Sequence, residues 1–167
     1  VSDLIDRGYR VGVLARGKSR LDAMSRQYGD QVLCLQCDVT EPETVARCGA
    51  AIEETLGPVS VWVNSAMLTS FSPFPSMTPG EFDRIVDTTL QGTVNGTRTA
   101  LALMERRGTG RIVNVGSGLA YRSVPYQSAY CAAKHGVNGF TSALRSELIR
   151  EESGVTLSLV QLPALNT

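Results

Sequence analysis

The chain has 167 residues, 16 Lys and Arg against 16 Asp and Glu, and 43% hydrophobic residues, the profile of one globular domain and not of a disordered segment. Zero net charge excludes the electrostatic footprint of a nucleic-acid binder or a basic membrane anchor. No apolar run is long enough to be a membrane-spanning helix.

The first eight residues, Val1-Ser2-Asp3-Leu4-Ile5-Asp6-Arg7-Gly8, read as the end of a helix, and the chain stops at Thr167 just after a strand-like run. A fragment incomplete at both ends is therefore expected, with residues 1–167 forming part of a single domain. Arg10–Leu14 is the first expected strand. A short helix from Ser19 follows, with Leu21, Met24 and Tyr28 on one face and Gly29 as its stop. Val32–Gln36 is the second strand. Thr40-Glu41-Pro42-Glu43 reads as a capping box that opens a helix with the stripe Val45, Cys48, Ile52 and Leu56, ended by Gly57-Pro58.

Val59–Asn64 is the third strand, and a loop rich in Ser, Thr and Pro runs from Ser65 to Met77. A second capping box, Thr78-Pro79-Gly80-Glu81, starts one long helix that reaches about Arg107 and breaks at Gly108 and Gly110. Arg111–Val115 is the fourth strand, a helix covers Ser128 to Arg150, and Thr156–Leu162 is the last strand. Strands alternating with helices of this length predict an α/β fold, a doubly wound and mainly parallel sheet of Rossmann-like type. Ligands in such sheets bind outside the carboxyl ends of the strands.

Four cysteines, Cys34, Cys37, Cys48 and Cys131, are too few and scattered for a disulfide scaffold and point to a reducing, cytoplasmic setting. Cys34 and Cys37 have C-x-x-C spacing, yet on a strand residues three apart face opposite ways. No second pair completes a metal site and His135 is the only histidine. Packing as small hydrophobes is expected, with no metal.

The chemistry-bearing residues follow the fourth strand. Ser117 lies on the loop, Tyr130 comes thirteen residues later, and Lys134 four beyond that. On a helix, positions i and i+4 share one face. A neighbouring ammonium favours a phenolate over a phenol whose pKa is about 10 when unperturbed, which suits a general acid and base near neutrality.

Ser-x12-Tyr-x3-Lys after an apolar strand resembles the short-chain dehydrogenase/reductase family in its short, non-extended form, and the resemblance covers nearly the whole chain. It implies hydride transfer between a nicotinamide dinucleotide and a small carbonyl or alcohol substrate. Tyr130 would be the proton donor or acceptor. Lys134 would lower its pKa and bond the nicotinamide ribose, and Ser117 would orient the substrate oxygen. Asp38-Val39 resembles the family's adenine contact, and Asn64-Ser65-Ala66 its Asn-Asn-Ala-Gly turn, with Asn64 holding backbone near the cofactor. Pro163 and Thr167 resemble its Pro-Gly-x-x-x-Thr segment beside the nicotinamide. Where NAD-preferring members place an acid, this chain has Ala15-Arg16, with Lys18 and Arg20 nearby, which implies NADP(H) in preference to NAD(H).

The chain departs from the family pattern at three positions. Thr89 stands where many members carry an asparagine that supports a proton relay, and only its hydroxyl and carbonyl remain to serve one. Met67 and Ala164 replace turn glycines. The family's glycine-rich turn and its strand should precede Val1. That strand would lie in mid-sheet, between the first visible strand and Val59–Asn64, so residues 1–167 alone are expected neither to bind dinucleotide nor to fold well. The resemblance also implies a homodimer or homotetramer when full length. A second reading, a relative that keeps the fold without turnover or a non-functional truncated product, rests on Thr89 and the missing glycine loop. The apolar side chains near Phe71, Phe74 and Leu119 point to a hydrophobic substrate.

Overall fold

A computed structural model describes residues 1–163. Its elements are α1 (Ser2–Asp6), β1 (Val11–Ala15), α2 (Lys18–Tyr28), β2 (Val32–Gln36), α3 (Pro42–Leu56), β3 (Val61–Asn64), α4 (Pro79–Val86), α5 (Gly92–Met104), β4 (Gly110–Val115), α6 (Ser128–Arg150) and β5 (Val155–Val160). All strand pairing is parallel. β1 lies beside β2 with Val11 opposite Val32. β4 lies between β3 and β5, with Val61 opposite Arg111 and Gly110 opposite Val155. The alternation of apolar strands and amphipathic helices thus produces the parallel α/β arrangement it predicts.

The two ladders are separate: β1 and β2 form one sheet, and β3, β4 and β5 another. One long edge of β1 and one of β3 pair with no other strand among the described residues. Helix packing joins the sheets instead. Cys37 and Val45 share a buried cluster with Trp62, Ala100, Met104, Ile112, Leu148, Val155 and Leu157. Gly49 lets α3 approach α5, because a methyl there would stand 2.7 Å from Thr99 Cγ2. On β3 the period-two pattern decides the faces: Trp62 and Asn64 point into this core, whereas Val61 (41% exposed) and Val63 (51%) point away from it.

Two expectations need correction. Thr40 does not cap α3; Glu41 is the N-cap and lends no side-chain bond. The Thr40 amide and hydroxyl both turn back to the Asp38 carboxylate, at 3.0 and 2.8 Å, because a carboxylate is the stronger acceptor. The box at Thr78 does form: Thr78 Oγ1 accepts from the Glu81 amide and Glu81 Oε2 accepts from the Thr78 amide. The long helix is not uniform either. A π-helical turn, Asp87–Gln91, separates α4 from α5, and a 3₁₀ turn ends the run at Gly108, whose φ is +64°. The Thr89 hydroxyl accepts from the Leu68 amide and donates to the Leu68 carbonyl.

Candidate active site

The loops leaving β3 and β4 build one end of the sheet. Beneath them a chain of buried side-chain amides and hydroxyls ties two strands to two helices. Trp62 Nε1 donates to Asn64 Oδ1 at 2.8 Å. Asn64 Nδ2 donates to Thr97 Oγ1 at 3.0 Å and to Asn114 Oδ1 at 2.8 Å. Thr97 also donates to Asn114 Oδ1, and Asn114 Nδ2 donates to Thr141 Oγ1 at 2.9 Å. The side chain of Asn64 is thereby committed to the interior, where it fixes the end of β3 against α5 and β4. Gly96 makes room for it, since any Cβ there would run into Asn64 Oδ1.

Directly beyond β4, Gly116 N donates to Val160 O and Gly118 N to Leu162 O, so the two strand exits are laced together. Ser117 is the N-cap of the 3₁₀ turn Gly118–Ala120, and its Oγ accepts from the Leu119 amide at 3.2 Å. That bond uses a lone pair and leaves the Ser117 O–H free to donate. Opposite this turn, the first turns of α6 bury Ala129, Tyr130, Cys131, Ala133 and Lys134. Tyr130 packs with Ile85 and Ala129, and Leu68, Met77, Phe82 and Leu119 close around them.

Lys134 reaches under Tyr130. Its Nζ donates to the carbonyl of Val115, the last residue of β4, at 2.7 Å and lies 5.8 Å from the Tyr130 ring centroid. Two of its three donors remain. Burial holds the Lys134 ammonium below its ordinary value of 10.5. The folded protein therefore holds this proton less tightly than the unfolded chain, and stability gains from rising pH between the lowered value and 10.5. Against a Lys134→Met variant of the full-length protein, wild type should gain stability as pH climbs through that window. Parallel urea midpoints with no such divergence would contradict it.

A second cluster lies at the exits of β1 and β2. Arg16, Asp38, Thr40, Gly80, Asp83, Arg84, Asp87 and Thr88 line a cleft of about 260 Å³. The Thr40 amide bond, foremost, holds the Asp38 carboxyl below the usual range; the Thr40 hydroxyl, Arg16 and Arg84 act the same way against partial burial. Val39 is anchored from behind: its carbonyl accepts from Asn95 Nδ2 at 2.9 Å, and its side chain fills the space over Gly92. The hydroxyl of Thr88 is buried without a partner among the described residues.

The structure thus gathers Ser117, Tyr130 and Lys134 around the exit of β4, and Arg16, Asp38 and Val39 around the exits of β1 and β2. Ala66 and Met67 are exposed on the loop after β3, and Pro163 is exposed beyond β5. Ala164 and Thr167 lie outside the described residues. Cys37 is a core residue: burial first, and then Cys48, push its thiol up to about 12, which leaves no nucleophile at neutral pH. No group of three or more potential metal ligands occurs among the described residues. None of their helices is long and apolar enough to cross a membrane. Sequence reading missed the Asn64–Thr97–Asn114–Thr141 chain. Its only trace is polar residues at positions whose neighbours are apolar, the inward pattern of β3 and β4.

The family model for short chain dehydrogenases matches residues 1–167, and the chain belongs to that oxidoreductase family. An uncharacterized oxidoreductase of Bacillus subtilis, YxnA, is 30% identical over 166 residues, 97% of this chain and 47% of that protein. Acetoacetyl-CoA reductase of Paracoccus denitrificans is 40% identical over 159 residues, 94% of this chain and 64% of the relative. The fold matches an actinorhodin polyketide ketoreductase with NADPH at a TM-score of 0.87 and 34% identity, over 95% of this chain and 62% of that one. Serine dehydrogenase from Escherichia coli superimposes at a TM-score of 0.89 with 25% identity, over 96% of this chain and 74% of that one. The chain spans about half the length of the first curated relative and less than two thirds of the second.

Proposed function

We propose that this chain carries the catalytic centre of an NADP(H)-dependent reductase or dehydrogenase that interconverts a carbonyl and an alcohol. One observation carries the reading: Tyr130 and Lys134 stand one turn apart on the buried start of α6, with Lys134 anchored to the end of β4, the strand that leads into Ser117. In the reducing direction, the Tyr130 phenol gives its proton to the substrate oxygen, and in the oxidising direction it takes one. The Ser117 hydroxyl donates to the same oxygen and orients it. The Lys134 ammonium places positive charge beside the phenol when its proton leaves.

Arg16, Asp38 and Val39 would hold the adenosine end of the dinucleotide. Asn64 (through the backbone it fixes), Ala66, Tyr130, Lys134, Pro163 and Thr167 would hold the nicotinamide end. A bound nicotinamide supplies or accepts the hydride. The N-terminus of α2 supports a phosphorylated ribose. Its first turn has no acidic residue and instead carries Lys18 and Arg20, cations placed against the helix dipole, beside the exposed Arg16. Such an arrangement is relieved by a bound anion. In the full-length protein, kcat/KM with NADPH should exceed that with NADH by about tenfold or more, the worth of one charge-assisted phosphate contact. Equal or better use of NADH would overturn the preference.

Relatives named for acetoacetyl-CoA and ketoacyl reduction support a ketone as the oxidised substrate, and exposed Phe71 and Phe74 support an apolar one. The four cysteines are free, which supports a reducing, cytoplasmic setting. A homodimer or homotetramer built on a single-domain protomer belongs to the same reading.

A further inference from the structure

Beyond their last paired residues β4 and β5 keep their register. The Gly116 amide donates to Val160 O at 2.8 Å and the Gly118 amide to Leu162 O at 2.9 Å, which sets Gly116 opposite Gln161. Side chains alternate along a strand, so position 116 shares the face of Asn114, and position 161 that of Leu157 and Leu159. On that face Asn114 bonds Thr141 of α6, and Leu157 packs with Leu148 of α6. Gln161 therefore points to the side of the sheet covered by α6, the helix of Tyr130 and Lys134. Its carboxamide occupies the place where a side chain at 116 would begin. A Cβ on Gly116 would collide with Gln161 Oε1 and stand 2.7 Å from its Cδ and 2.9 Å from its Nε2. Alanine at 116 and glutamine at 161 thus exclude one another unless the backbone moves. Ser117 is the next residue; its carbonyl and hydroxyl hold the amides of Ala120 and Leu119 at 2.9 and 3.2 Å. Hydrogen bonding does little to hold the carboxamide. Its oxygen is buried with no partner among the described residues. Its Nε2 lies 3.4 Å from Tyr121 Oη, a long bond to a ring that is 67% exposed. Packing against Gly116 is the tie that remains.

We propose that Gln161 is a positioning residue: its side chain takes the place that position 116 leaves empty and fixes the backbone from which Ser117 presents its hydroxyl. This rests on the reading of Ser117 as the group that orients the substrate oxygen. The test uses the full-length protein with Gly116→Ala, which adds the excluded methyl, Gln161→Ala, which opens the space, and the two combined. A fourth variant, Gln161→Met, keeps the length and removes the amide.

Gly116→Ala and Gln161→Ala should each lower kcat for carbonyl reduction by about ten- to a hundredfold, the cost of a misplaced contact at the reacting atoms, with the dinucleotide bound as in wild type. Combined, they should recover most of that loss, because the methyl then fills space the glutamine has vacated. Gln161→Met should turn over like wild type, since volume-conserving exchanges are tolerated best. In a Ser117→Ala background none of these changes should lower kcat further, because the group they position is gone. Additive losses in the combined variant, or Gln161→Met as slow as Gln161→Ala, would overturn the packing role. A loss of the same size in the Ser117→Ala background would show a general disturbance of the fold and overturn it as well. If Gly116→Ala does not fold, the two Gln161 variants and the Ser117→Ala background decide the matter. If Ser117→Ala itself keeps wild-type turnover, the reading of Ser117 fails. Hydrogen exchange then decides for Gln161 separately: faster exchange at the Leu119 and Ala120 amides in Gln161→Ala, but not in Gln161→Met, shows that it holds the turn, and unchanged exchange overturns that too.

Discussion

Replacing Tyr130 by phenylalanine in the full-length protein should lower kcat for carbonyl reduction by about two to four orders of magnitude, the usual contribution of a positioned general acid. The variant removes one oxygen from a side chain that is 8% exposed. Its place in the buried cluster with Ile85 and Ala129 is kept, so the fold should stay intact and the dinucleotide, held also by Arg16, Asp38 and Lys134, should still bind. That separation makes the experiment decisive. A fall in turnover with intact binding, measured by fluorescence titration of the reduced dinucleotide, assigns the phenol to proton transfer. Wild-type turnover would sink the mechanism, and the second reading, a relative without turnover, would then gain ground. Ser117 would show the same pattern less steeply, because it acts on the substrate oxygen without itself giving up the proton, whereas a Lys134 variant would lose dinucleotide affinity as well.

Asn114→Ala should be strongly destabilising. The amide is fully buried and serves three partners: it accepts from Asn64 Nδ2 and Thr97 Oγ1 and donates to Thr141 Oγ1. Removing it orphans groups on β3, α5 and α6 together, and each buried group left unpaired costs about 1–3 kcal/mol. A total of about 3 kcal/mol or more is expected, a large share of the 5–15 kcal/mol that typically separates folded from unfolded domains. Urea unfolding of the full-length protein should show a lower midpoint at unchanged slope. A loss below about 1 kcal/mol would mean that the chain is not a cooperative unit. The coupling reaches function, because Asn64 sits at the exit of β3 and Asn114 at the exit of β4, one residue before the carbonyl that holds Lys134.

Much of this was legible in the amino-acid order. Local periodicity marked every strand within two residues and the helical segments except α1, read only as a helix end, and the break that divides α4 from α5, because period-two and period-3.6 apolar patterns are properties of neighbours in sequence. The i, i+4 spacing of Tyr130 and Lys134 predicted their shared face on α6, and they lie there. The capping box at Thr78 was readable for the same reason: its two bonds span three residues. At Thr40 the same pattern misled, since Asp38, two residues upstream, competes for the same donors and its charge decides the outcome.

Contacts between residues distant in sequence were not legible. Asn64 and Asn114 are 50 positions apart, and no local rule distinguishes a polar residue that closes a buried chain from one that lines a ligand. Thr89 and Leu68, 21 positions apart, meet only because the π-helical turn and the Ser65–Met77 loop are folded against each other. The sequence by itself determined the parallel α/β class, the short-range catalytic spacing and the family. Only the tertiary structure decided that the asparagines face inward and that the Thr89 hydroxyl is already bonded. Periodicity and spacing act along the chain, whereas burial and hydrogen-bond satisfaction are settled by whatever the rest of the chain brings alongside.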